Sequence, residues 1–223
     1  MLAACILTAG CTTTAVKSAN QSLITAAAPE SKGVLVQPDV QLALLTAAGL
    51  REAREDWSRS GRDNLAASLQ TELKAHAHPF TILDPKDSMD GRTGQLLRLH
   101  EAVGQSVLTF GYALKLPTKT GGFDWTLGDG ATVMRDQFGA DYALFVTARG
   151  TYSSAGRKAA MIGMAMLGVS IPLGSQQIFA SLVDLRTGQV VWFNVATAGP
   201  QADIRTPEGA NLLVKDLLKG VPL

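Results

Sequence analysis

Two short apolar strings and the long spacer between them constrain this chain more than any other feature. Val34-Leu35-Val36 is strand-like, and Phe80-Thr81-Ile82-Leu83 reads as a second, buried strand closed by Asp84-Pro85. Between them, from Arg51 to Ala77, Ala53, Trp57, Leu65, Leu69 and Leu73 recur at helical spacing. Arg54, Glu55, Arg59, Arg62, Glu72 and Lys74 fill the other face. A strand, a helix and a strand in that order predict a parallel pair, because parallel strands need a long crossover. Pro38 ends the first strand or holds an edge position. Leu42, Leu44 and Leu45 either extend that strand or start a helix, and Gly61 is a point where the long helix divides in two.

The rest of the chain adds antiparallel pairing and more helices. Ser88 to Ala113 predicts a second helix with Leu96, Leu97, Leu99, Val103, Val107, Leu108 and Phe110 on a broad apolar face. Trp125 to Phe138 predicts a third, capped by Gly139. Ala140 to Thr151 is strand-like. Ile178 to Leu185, a turn at Arg186-Thr187-Gly188, and Gln189 to Val195 form a hairpin. Thr206 to Leu218 closes the chain as a helix, with Thr206 as N-cap, Pro207 first, and Leu212, Leu213, Leu217 and Leu218 buried. The expected fold class is α/β, a mixed β-sheet sandwiched by helices, as one domain over residues 34–219. The 46% hydrophobic content supports such a core, and the net charge of +1 gives no electrostatic footprint for nucleic acid.

The N-terminus carries a different kind of signal. Ile6-Leu7-Thr8-Ala9-Gly10 is an apolar run ending in small residues, and Cys11 follows at once. This resembles the lipobox of bacterial lipoproteins, in which cleavage precedes the cysteine and its sulfur receives a diacylglycerol. Residues 1–10 are then a signal peptide, and Cys11 is the lipidation site. Met1 to Gly10 has no charged side chain, where a signal peptide opens with Lys or Arg, so the translation start is expected upstream. Cys5 is lost with the signal, which leaves Cys11 as the single thiol. Residues 11–33, rich in Thr, Ser, Ala, Asn and Gln, read as the lipidated cysteine and a flexible tether. Thr12 in place of Asp implies, by the same resemblance, the periplasmic face of the outer membrane.

A second resemblance covers the domain. Gly139-Ala140-Asp141-Tyr142-Ala143-Leu144-Phe145-Val146 is followed by Leu182-Val183-Asp184-Leu185-Arg186-Thr187-Gly188-Gln189-Val190-Val191-Trp192. This G-A-D-Y strand and D-x-x-T-G-x-x-x-W hairpin are similar to envelope lipoproteins related to the curli secretion channel subunit. They also resemble penicillin-binding-protein activator lipoprotein B and the N-terminal domain of Tol translocation protein B. The resemblance implies an anticodon-binding-like architecture and a scaffold, activator or channel role. It carries no catalytic residue onto this chain.

Candidate chemistry is sparse. Asp84, Asp87 and Asp90 stand three apart and lack the closing Glu of a calcium loop, so a turn with a helix cap at Asp87 or Ser88 is expected. Gly128-Asp129-Gly130 lacks the Lys-Ser/Thr of a phosphate loop. His76 and His78 point apart on a helix, and only a fortunate fold would join them with His100 in a metal site. No Gly-x-Ser-x-Gly elbow occurs, and Ser153-Ser154 has no adjacent histidine. No metal, cofactor or enzymatic activity is therefore expected.

Ala159 to Leu173 (AAMIGMAMLGVSIPL) is the one unusual segment: uncharged, with three methionines, preceded by Arg157-Lys158. It reads as an element covering the sheet, as a partner-contact surface through Met161, Met164, Met166 and Leu167, or as a membrane-inserted segment. Fifteen residues are too few for a spanning helix, which needs about 20. The expectation is a lipid-anchored, non-catalytic scaffold or interaction module for an envelope protein, with homo-oligomerisation as a further partner expectation. The alternative is an oligomeric secretion or channel component, as the curli resemblance implies.

Overall fold

The computed structural model describes residues 12–19, 31–75, 79–119, 121–169, 173–199 and 201–223. Its centre is a mixed sheet of strands β1 (Thr13–Ser18), β2 (Gly33–Val36), β3 (Asp39–Leu45), β4 (Arg51–Ala53), β5 (Phe80–Leu83), β6 (Tyr142–Ser153), β7 (Gln176–Asp184) and β8 (Val190–Thr197). Helices α1 (Glu55–Ala75), α2 (Gly91–Val107), α3 (Thr132–Phe138), α4 (Ala155–Ala165) and α5 (Pro207–Leu217) connect and cover it. The order is β1-β8-β7-β6-β2-β5, with β3 also on β6 and β4 on β3. β5, β2 and β6 are parallel, whereas β6, β7, β8 and β1 run antiparallel. The expected mixed α/β sandwich is thus the fold.

Alternation along the strands sorts side chains into two cores. Leu35, Leu144, Val146, Ile178, Leu182 and Trp192 meet Leu65, Leu69 and Leu73 of α1 and Leu213, Val214 and Leu217 of α5. Val34, Val36, Phe145, Phe179, Val183 and Phe193 meet Leu96 and Val107 of α2 and Met134 of α3 on the other face. Both faces are covered, which is why these strands read as nearly unbroken apolar runs.

Several expectations change. Leu42, Leu44 and Leu45 belong to β3, which runs beside β6 from Asp39 opposite Thr147 to Leu45 opposite Ser153. Arg51–Ala53 is strand β4, so α1 starts at Glu55. Gly61 does not divide α1. A methyl there would sit 3.2 Å from both Val40 and Ile204, so its hydrogen lets the helix lie close on the sheet. The second helix ends at Val107, and Leu108–Ala113 continues as a π-turn. The third regular helix is only Thr132–Phe138, after a 3₁₀ turn at Asp129–Ala131. β5 is an edge strand with only Leu83 buried and Ile82 exposed, and in α5 Leu212 is 51% exposed, whereas Leu213, Leu217 and Leu218 are buried.

The first described segment differs most from its expectation. Thr13–Ser18, placed by composition in the tether, pairs with β8 from Thr13 opposite Thr197 to Ser18 opposite Trp192. Short polar Thr and Ser side chains suit this edge, because every residue of β1 is exposed and its pairing with β8 is made by the backbone. Cys5, Cys11, residues 20–30, His76, His78 and residues 170–172 lie outside the described residues.

Candidate functional site

The sequence motifs that carry the family resemblance are turn chemistry in this structure. Gly139 closes α3 in the left-handed conformation, its N–H donating to Arg135 O at 2.8 Å. In the hairpin, Asp184 Oδ1 accepts from Arg186 N at 2.8 Å, and Gly188 N donates to Asp184 O at 2.8 Å. Trp192 is fully buried in the core under α5. None of these groups is presented for chemistry.

The nearest approach to a catalytic pair is one the sequence did not show. His100 on α2 and Ser181 on β7 lie 81 positions apart, yet Nε2 and Oγ are 2.6 Å apart. His100 also stacks on Phe145 at 3.7 Å between centroids. Burial pushes its pKa down to about 3, so the ring is neutral and a feeble base at neutral pH. Ser181 is 1% exposed and His100 5%, so the hydroxyl lies under α2 where a substrate carbonyl has no approach. The pair satisfies two buried polar groups that apolar packing would otherwise strand. Beside it, a cleft of about 340 Å³ at the carboxyl ends of β2 and β5 holds Asp39, Arg62, Asp84, Arg98 and Glu101. Asp39 is paired with Arg149, Asp84 Oδ1 accepts from Lys86 N at 3.0 Å, and Arg98 donates to Met89 O at 3.3 Å. Neither Asp87 nor Ser88 caps a helix: Asp84 caps the 3₁₀ turn Pro85–Ser88, and α2 starts after Asp90, which makes no side-chain cap bond. Among the described residues no cluster of three or more His, Cys, Asp or Glu could hold a metal ion.

The Met-rich segment forms the other candidate. Ser154 caps α4, its Oγ accepting from Arg157 N at 3.1 Å, and α4 then runs from Ala155 to Ala165 with no buried residue. The four residues expected to touch a partner divide between two faces. Arg157, Met161 and Met164 recur at helical spacing and are half-buried on the inner face. Met166 and Leu167 are 84% and 76% exposed. Ile162, which the sequence reading passed over, is 58% exposed and lies on one stripe with Lys158 and Met166. Of the thirteen large apolar side chains exposed among the described residues, five fall between 162 and 173. That concentration separates α4 from the scattered exposed apolar residues any protein carries.

α4 stands at one defined end of the sheet. It follows Ser153, which pairs with Leu45, and Arg157 reaches the β3–β4 turn, where Leu50 is 67% exposed. The base of this end is an aromatic and charged cluster. Arg205 lies 3.6 Å over the Tyr152 ring and 4.6 Å over Trp57, and its Nη2 meets Asp203 Oδ2 at 2.6 Å. Burial pushes the Asp203 pKa up, but the hydrogen bonds from Arg205 outweigh that and hold it low. Burial, joined by the Asp203 charge, pushes the Tyr152 phenol up. Between this cluster and α4 lies a cleft of about 680 Å³ lined by Tyr152, Lys158, Leu173, Gly199 and Arg205. The arrangement is aromatic and charged at its base and apolar at its tip.

No protein-family model matches the chain, and no curated protein matches it. Its fold is loosely similar to solved structures. A PelC dodecamer from Paraburkholderia phytofirmans aligns at 16% identity over 95% of this chain and 97% of that one, with a TM-score of 0.43. A single-substitution variant of that dodecamer, from the same organism, aligns at 15% identity over 93% and 95%, with a TM-score of 0.40. Lipoprotein GNA1162 from Neisseria meningitidis aligns at 13% identity over 85% of this chain and 97% of that one, with a TM-score of 0.34. At such scores the likeness assigns neither activity nor assembly to this chain.

Proposed function

We propose that this chain is a lipid-anchored envelope protein that works by contact, not catalysis, through the end of its sheet that carries α4. The observation that carries the reading is α4 itself. An 11-residue helix holds Ile162 outward, with Met166 and Leu167 just past its end, and buries none of its residues in its own domain. Exposed apolar surface of this kind costs solubility unless something covers it. The lipobox-like string ending at Cys11 supports the anchored location, on the outer membrane's periplasmic face by the Thr12 pattern.

The test compares Met166→Lys with Met164→Lys by thermal melting and by light scattering. Met166→Lys is expected to melt like the wild type and to lose assembly or partner capture, because its side chain has no role in the fold. Met164→Lys, half-buried, is expected to lower the melting temperature as well. Unfolding by Met166→Lys, or an intact fold with assembly and capture of every partner, lipid vesicles included, all unchanged, overturns the contact reading.

A further inference from the structure

We propose that the partner of the α4 end is a phospholipid bilayer, and that α4 is an interfacial helix whose outward side chains sit at the boundary between headgroups and acyl chains. This rests on the contact reading above and names what fills that contact. The strand register carries it. Thr13 pairs with Thr197, and Thr197 pairs with Gln177, whose neighbour Gln176 pairs with Gly150. β1 therefore begins at the same end of the sheet from which α4 departs after Ser153. The Gly199 N–H donates to Thr12 Oγ1 at 3.4 Å, and Gly199 lines the same cleft as Lys158 and Leu173 of the α4 excursion. Cys11 is the next residue. One Cα step is about 3.8 Å, so no tether separates a lipid on Cys11 from this end of the sheet.

The chemistry of the surface agrees. Its tip is apolar at Leu50, Ile162, Met166 and Leu167, and Lys158, exposed on the same stripe as Ile162 and Met166, lies at the foot of α4, where phosphate groups of a lipid surface would meet it. Of the acidic groups nearby, Asp203 is held by Arg205, and Glu52 lies on β4 opposite Leu44. Size decides between lying in the surface and crossing it. Eleven residues rise roughly 16 Å, against about 30 Å of hydrocarbon. No described helix is long and apolar enough to cross a membrane. The lipid holds one point of the sheet end and α4 a second, which together fix the orientation of the domain on the membrane.

The test uses protein purified from host membranes and reconstituted into phosphatidylethanolamine–phosphatidylglycerol vesicles whose acyl chains carry a nitroxide quencher. A fluorophore is placed at Met166→Cys or, as a control, at Leu114→Cys, which is 61% exposed elsewhere on the surface. Circular dichroism melting checks that each variant folds. Emission at position 166 is expected to fall several-fold while emission at 114 stays unchanged. Equal quenching at both positions, or none at 166, overturns the lipid assignment. If 166 is unquenched and Met166→Lys still breaks assembly, the contact reading stands with a protein as occupant. If 166 is unquenched and assembly is unaffected, both readings fall.

Discussion

Trp192 and His100 show how single side chains set the stability of the two cores. Trp192 has no solvent exposure and packs between the sheet and α5. Trp192→Ala should cost on the order of 3–5 kcal/mol in denaturant unfolding. A cost below about 1 kcal/mol, the ordinary surface range, would show that the ring is not in the core. The buried Nε1 makes no hydrogen bond, so Trp192→Phe should cost much less than Trp192→Ala. His100 links stability to pH. Its pKa falls from 6.5 to about 3 on folding, because burial disfavours the charged ring. The unfolded chain therefore takes up a proton at this site between those values while the folded chain does not. Stability present above pH 6.5 is lost as pH falls toward about 3, at up to roughly 1.4 kcal/mol per pH unit. His100→Gln should flatten that part of the pH–stability curve relative to wild type. An unchanged slope would mean that the imidazole is solvated.

At the level of elements, the central strands and the turns are legible in the sequence, whereas β1, β4 and the irregularities are not. The Arg186-Thr187-Gly188 turn and the Gly139 cap follow from local chemistry, and both form where they are expected. Their two glycines are required for different reasons. Gly139 has φ near 60° with open space where a side chain would go, whereas Gly188 has φ near 72° and a methyl there would sit 2.2 Å from Gly128 O. Gly188→Ala should therefore destabilise clearly more than Gly139→Ala, for which about 1 kcal/mol is expected. Comparable melting temperatures for the two variants would contradict the close approach of the Gly128 loop. The register shift beside Leu182 and Val183 was hidden. It leaves Val191 without a partner on β7 and turns both Val191 and Trp192 into the α5 core, which strict alternation cannot produce. The His100–Ser181 bond was hidden as well, since its partners meet only when α2 lies on β7. β1 was misread because an edge strand supplies backbone hydrogen bonds, and its polar side chains look like a linker.

Across the whole molecule, the parallel strands β5-β2-β6 and the antiparallel strands β7-β8-β1 form one sheet, and β1 begins at the end from which α4 departs. Composition located the Met-rich segment, but only the fold divides its faces, turning Met161 and Met164 inward and leaving Ile162, Met166 and Leu167 exposed. Likewise the sequence marks Cys11, and β1 pairing brings its neighbour Thr12 to the α4 end. The anchored-contact account depends on that cysteine carrying lipid. Its most direct test is the intact mass of the protein isolated from its host's membranes. The account predicts a chain beginning at Cys11 and heavier by a diacylglyceryl group and an amide-linked acyl chain. An unmodified chain that still carries the residues before Cys11 would contradict it.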